Sequence, residues 1–142
     1  MGNGTTTTIL ASAAPSTRHL RLHGTYDYTA PTTTQARCWQ AHAGKLWRRF
    51  TIALRRKLAA TAGLKVFEFK NHARLSYARA AEYQRLGVVH FHAVVRVDGS
   101  DGPHDPTPAW ATAELLGDCI KSAARPVGID TTWLDGSTLC SL

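Results

Sequence analysis

The stretch Ser76–Gly99, SYARAAEYQRLGVVHFHAVVRVDG, decides how the rest of the chain is read. Within it Val89, Phe91, Ala93, Val95 and Val97 alternate with His90, His92, Val94 and Arg96. A period of two is the signature of a strand with one buried face. The preceding run, Leu75–Tyr83, carries Tyr77, Ala81 and Tyr83 and suits a second strand. Between them lies Gln84-Arg85-Leu86-Gly87. A loop of Arg85, Leu86 and Gly87, with glycine in the left-handed region, closes a common form of hairpin. That choice pairs Gln84 with Val88, Glu82 with His90 and Ala80 with His92.

This register puts Glu82, His90 and His92 on the polar face, where packing does not require histidines. Directly opposed residues have Cβ atoms about 4.5–5.5 Å apart, and alternate residues on one strand lie within side-chain reach. Two imidazoles and a carboxylate converging there can bind one divalent cation. A His-x-His pair alone is weak as a motif, and the register-matched glutamate is what strengthens it. The remaining histidines, His19, His23, His42, His72 and His104, stand in unrelated contexts and read as structural or solvated. Tyr26, Tyr28, Tyr77 and Tyr83 read as packing residues, and no tyrosine follows Tyr83.

Outward from the hairpin, residues 39–62 predict an amphipathic helix. Trp39, Ala43, Leu46, Trp47, Phe50, Ala53, Leu54 and Leu58 recur at helical spacing, and Gly63 is a natural stop. Lys45, Arg48, Arg49, Arg55, Arg56 and Lys57 fill much of the remaining surface with no acid among them. Such a run is either a solvated face or a surface that follows phosphates. After the loop DGSDGPHDPTP, Thr107 and Pro108 predict the cap and first turn of a helix reaching Ala124. Residues 1–37 are Thr-rich and predict irregular structure, with one strand near Thr7–Ala11. Residues 125–142 have no clear period and predict an irregular tail.

The chain has 142 residues, 17 of them Lys or Arg against 10 Asp or Glu, for a net charge of +7. One domain fits that length, and 44% hydrophobic residues can build a core. The sequence has no apolar run of about 18 residues, which excludes a spanning helix, and no secretory signal pattern. Cys38, Cys119 and Cys140 form neither a zinc pattern nor a disulfide framework, which fits the cytoplasm. The positive excess makes a polyanion, DNA before a membrane surface, the first partner to test.

Four stretches together carry a resemblance: TYDY at Thr25–Tyr28, AHAGKLWRRFTIALRRKLA at Ala41–Ala59, the hairpin, and DPTPAWATAELL at Asp105–Leu116. In this order they resemble the replication initiator (Rep) proteins of actinobacterial plasmids and integrative conjugative elements. Those proteins look like members of the HUH endonuclease superfamily, whose His-hydrophobic-His motif His90-Phe91-His92 matches. The resemblance spans about residues 25–124. It implies a rolling-circle type initiator that nicks and joins DNA at a replication origin, on single-stranded or hairpin DNA. It also implies a Mg²⁺ or Mn²⁺ ion on His90, His92 and Glu82, a tyrosine nucleophile that becomes joined to the 5′ phosphate, and host replication proteins as partners.

The chain departs from the pattern at both ends: no tyrosine follows the HUH strand, and residues from about Pro126 do not match. The expectation is therefore an α+β fragment, truncated from a larger domain. Residues 38–124 form a partial Rep-type domain of two or three strands against two helices, without a nucleophile of its own. Lys45, Arg48, Arg49, Arg55, Arg56, Lys57 and Arg85 are its candidate DNA contacts, with the basic helix next to the metal site. The alternative is a non-catalytic basic nucleic-acid-binding module in which the His pair is incidental. A hydrolytic or redox metalloprotein is disfavoured, because no third His or Cys sits at ligand spacing.

Overall fold

The structure is a computed structural model that describes residues 6–11, 17–23, 33–83, 89–132 and 134–141; for residues 6–11, 17–23, 33–36, 39, 83, 89, 90, 131 and 139–141 it describes backbone alone. It is an α+β fold. β1 (Thr6–Ala11), β2 (Thr17–His23), β3 (Arg74–Tyr83) and β4 (Val89–Asp98) form one antiparallel sheet in the order β1-β2-β4-β3. α1 (Thr33–Thr61) and α2 (Ala113–Ala124) pack on one face of it, and β5 (Asp130–Thr132) pairs with β6 (Thr138–Ser141) in a separate ribbon.

The hairpin register is the expected one: Glu82 pairs with His90, and Ala80 with His92. The connecting residues 84–88, Arg85 among them, lie outside the described residues. Ala93, Val95 and Val97 are buried against Trp47, Phe50, Leu54 and Leu58 of α1 and Leu116, Ile120 and Ala123 of α2. Each large aliphatic side chain wholly removed from water contributes about 1.5–3 kcal/mol, so this face fixes both the helices and the register. At the open edge of β3, the Arg79 guanidinium sits 4.5 Å from the Phe91 ring centroid and 5.5 Å from that of Trp47. The Tyr77 ring meets Trp47 edge-on at 5.1 Å. These side chains close the rim of the core with a cation and a polar aromatic edge.

Five sequence expectations are corrected. The sheet has four strands, because the Thr-rich N-terminus supplies two: the few leucines of Thr17-Arg18-His19-Leu20-Arg21-Leu22-His23 stand among basic residues, and this run is a strand. The first helix runs from Thr33 rather than from 39, since Thr33-Thr34-Gln35-Ala36-Arg37 contains nothing that stops a helix. The second begins at Ala113 instead of 108: Thr112 caps it by accepting from the Leu115 N–H, while Thr107 donates its hydroxyl to the Val97 carbonyl. The tail carries β5 and β6, whose turn is held by the Asp135 carboxylate accepting from the Ser137 N–H and hydroxyl. Those two bonds hold the Asp135 carboxyl below its ordinary range. Finally, Cys38 is disulfide-bonded, whereas Cys119 is a buried free thiol.

Beyond β4 the chain folds back tightly. Asp98, only 2% exposed, accepts from the Ser76 hydroxyl and pairs with Arg96, whose guanidinium also donates to the Pro103 carbonyl. Gly99 lies so close to the returning loop that a Cβ there would stand 2.0 Å from Asp105 Oδ2 and 2.9 Å from the Pro106 carbonyl oxygen. Gly44, exposed in the middle of α1, has nothing within 4 Å of a Cβ. Gly44→Ala is therefore expected to raise stability by up to about 1 kcal/mol through helix propensity, and Gly99→Ala to lower it. Thermal unfolding of the two variants checks this, and a stabilising Gly99→Ala would contradict the loop geometry.

Candidate functional site

The sheet has two unlike faces. The apolar one is covered by the helices, and the other carries His90, His92, Val94, Arg96 and Asp98 along β4, beside Glu82, Ala80, Ala78 and Ser76 of β3. Among the described residues the middle of this second face is open, with Ala78, Ala80 and Glu82 exposed and His92 half-buried. His92 Nε2 lies 2.7 Å from Glu82 Oε2. The contact is diagonal, because Ala80 stands directly opposite His92 and Glu82 directly opposite His90. One carboxylate therefore serves a histidine beside it on the ladder and is paired by register with another.

The described donors fit a hard divalent cation in kind: a carboxylate oxygen and an imidazole nitrogen already meet at one accessible point. Among the described residues no group of three or more His, Cys, Asp or Glu is assembled, and the side chain of His90 lies outside them. His90 enters the set through its backbone position opposite Glu82.

The basic residues are not where the sequence placed them. Trp47, Phe50 and Leu54 turn α1 toward Val95 and Val97, so its outer surface lies across the sheet from His92. Arg49 donates to the Gly128 carbonyl instead of facing outward free of the fold. Lys57 lines a cleft of about 700 Å³ between α1 and α2 together with Glu114 and Asp118, acids that offset its charge. Lys45, Arg48, Arg55 and Arg56 remain exposed, and Arg37 joins them. At 3.6 residues per turn these five fall within an arc of about 100° on the outer side of the helix.

His19 and His23, read as unrelated to the His pair, lie on β2 next to it. Arg21 between them is the Cα partner of His92, and His19 that of Val94. The signal was present in the alternation of His19, Arg21 and His23 with Leu20 and Leu22, which is a strand pattern with basic residues on one side. His72 and His104 are exposed, as expected, while Tyr26 and Tyr28 lie outside the described residues.

The family described as RepSA, replication initiator protein, pSAM2, matches residues 22–139. The chain belongs to this replication initiator family. A curated replication initiator protein from Streptomyces ambofaciens is 50% identical over 100 residues, covering 70% of this chain and 21% of the relative. The initiator chain thus spans about one fifth of the length of the curated relative it matches. No solved structure matches it. The matched region contains the whole hairpin and both helices, His92 and Glu82 included. No described helix is long and apolar enough to cross a membrane.

With side chains 36% and 66% exposed, the His92–Glu82 pair is screened by water and is worth little to the fold. Glu82→Ala is expected to change the unfolding free energy by less than about 1 kcal/mol in a denaturant titration. A loss of several kcal/mol would mean that the carboxylate is there to hold the sheet.

Proposed function

We propose that this chain is the metal- and DNA-binding part of a rolling-circle type replication initiator of the HUH kind, with His90, His92 and Glu82 as the ligands of a Mg²⁺ or Mn²⁺ ion. The observation that carries this reading is the β3–β4 register, which sets Glu82 against His90 and in contact with His92 on the open face of the sheet. Family membership supports a role in DNA replication initiation. Origin DNA, single-stranded or in a hairpin, is the proposed substrate, and host replication proteins acting in the cytoplasm are the proposed partners.

A bound divalent ion supplies Lewis-acid polarisation of the scissile phosphate and stabilises charge developing on it. The chain's own contribution is to hold three donors on adjacent, rigidly paired strands, so that no loop has to be ordered before binding. To hold the ion, His92 would present Nε2 with its lone pair free, the atom that now meets Glu82 Oε2. Phe91 between the two histidines belongs to the opposite face, packed against the second core cluster with Ala43, Leu46 and Ile129, and so fixes the pitch of the motif strand. Among these 142 residues no tyrosine follows Tyr83, and these residues by themselves are proposed not to nick DNA.

A second reading has its own support. The outward stripe of Arg37, Lys45, Arg48, Arg55 and Arg56 suits phosphate contact without metal, as in a non-catalytic nucleic-acid-binding module. One set of measurements separates the two. Calorimetric titration with Mn²⁺ is expected to show binding to the wild type that is lost in H90A/H92A, and single-stranded DNA binding is expected to weaken in EDTA. Equal Mn²⁺ heats for wild type and the double variant, with DNA affinity unchanged by EDTA, would assign the binding to the helix alone.

A further inference from the structure

We infer that Arg21 holds a phosphate of the bound DNA strand over His92. This rests on the metal-and-DNA reading above and adds to it the group that fixes the substrate. A side-chain cation that fixes a phosphate beside the ion has to lie on the same face of the sheet, and the exposed stripe of α1 is on the other face, beyond the packed core. Arg96 does share the polar face, but its guanidinium is committed to the buried Asp98 carboxylate and the Pro103 carbonyl. Arg79 belongs to the apolar face, over Phe91 and Trp47.

Arg21 meets the requirement by position. In the ladder it is the Cα partner of His92 on one side and of Thr8 on the other, so neither cross-strand neighbour is an acid. It is the middle basic residue of the alternating set His19, Arg21 and His23. Across β4 from it, β3 carries Ser76, Ala78 and Ala80 before Glu82, with both alanines exposed, and its one arginine on this face, Arg74, stands at the far end opposite Asp98, six residues along β4 from His92. Small residues there leave room for a sugar-phosphate chain to descend to the level of His92. A planar guanidinium binds two phosphate oxygens at once, which a histidine or a lysine cannot do. The strand would thus run along the basic register positions of β2 and over the small residues of β3, with the ligand set at its end.

The test uses the whole chain and a fluorescein-labelled oligothymidylate in anisotropy titrations from 50 to 300 mM KCl with Mn²⁺ present. R21A is expected to weaken binding about tenfold and to reduce the magnitude of the log–log salt slope by about 0.7, the value for one contact to a single strand. R21K is expected to restore the slope but only part of the affinity. Calorimetric Mn²⁺ affinity without DNA should stay within about twofold of wild type in both variants, which also reports that they are folded. The effects of R21A and H92A on DNA affinity should be non-additive, because both act on one bound phosphate. An unchanged slope in R21A, or additive effects with H92A, overturns the assignment of Arg21. Absence of Mn²⁺ binding to the wild type, seen before any DNA is added, instead overturns the metal reading on which it rests, and with it the placement of the phosphate over an ion.

Discussion

If β3 slipped by one residue against β4, Glu82 would leave the face of the histidines and every side chain of β3 would change sides. The core forbids this. Val95 and Val97, at most 1% exposed, fix which way β4 faces, and on β3 Leu75 packs against the same core while Tyr77 and Arg79 lie on the Trp47 ring. Side chains on a strand alternate with a period of two, so burial of one set dictates the exposure of the other. The contact between His92 and Glu82 is therefore set by hydrophobic packing on the far side of the sheet. The proposed ligands need contribute nothing to stability, and their geometry is inherited from the core.

The same constraint divides the molecule's positive charge. Helix α1 must turn its apolar stripe to the sheet, which sends Arg48 and Arg55 to the surface farthest from the histidines. Near the histidines, basic residues come from β2. A nucleic acid engaging both surfaces would have to wrap around the edge of the domain, and the two can be separated by substitution because no side chain belongs to both. The net charge of +7 thus describes two surfaces and not one.

What was legible in the sequence follows from how strongly each segment is constrained locally. The hairpin register was readable because Val89, Phe91, Ala93, Val95 and Val97 form an unbroken alternation and Gly87 limits the loop. The long helix was readable from Trp47, Phe50, Leu54 and Leu58, though its first six residues were not, since polar and small residues without a face of their own become helical only by extension from the packed part. β2 was missed because its two leucines are few and its other residues are basic; a neighbour in the sheet, not propensity, makes it a strand. The α2 start was misplaced because Thr107-Pro108 and Thr112 are both chemically fit to cap a helix. Which one does so depends on the distant Val97 carbonyl, which takes the Thr107 hydroxyl.

The divalent ion is proposed to sit on the open face of the sheet, across the core from the basic helix. Paramagnetic broadening by substoichiometric Mn²⁺ in ¹H–¹⁵N spectra of the full chain tests it most directly. The account predicts that the amide signals of Ala80, Glu82, Phe91, His92 and Arg21 broaden first, while those of Arg48, Ile52 and Arg55 stay sharp. Broadening centred on α1, or on the acidic cleft of Glu114 and Asp118, with the hairpin signals unaffected, would contradict it.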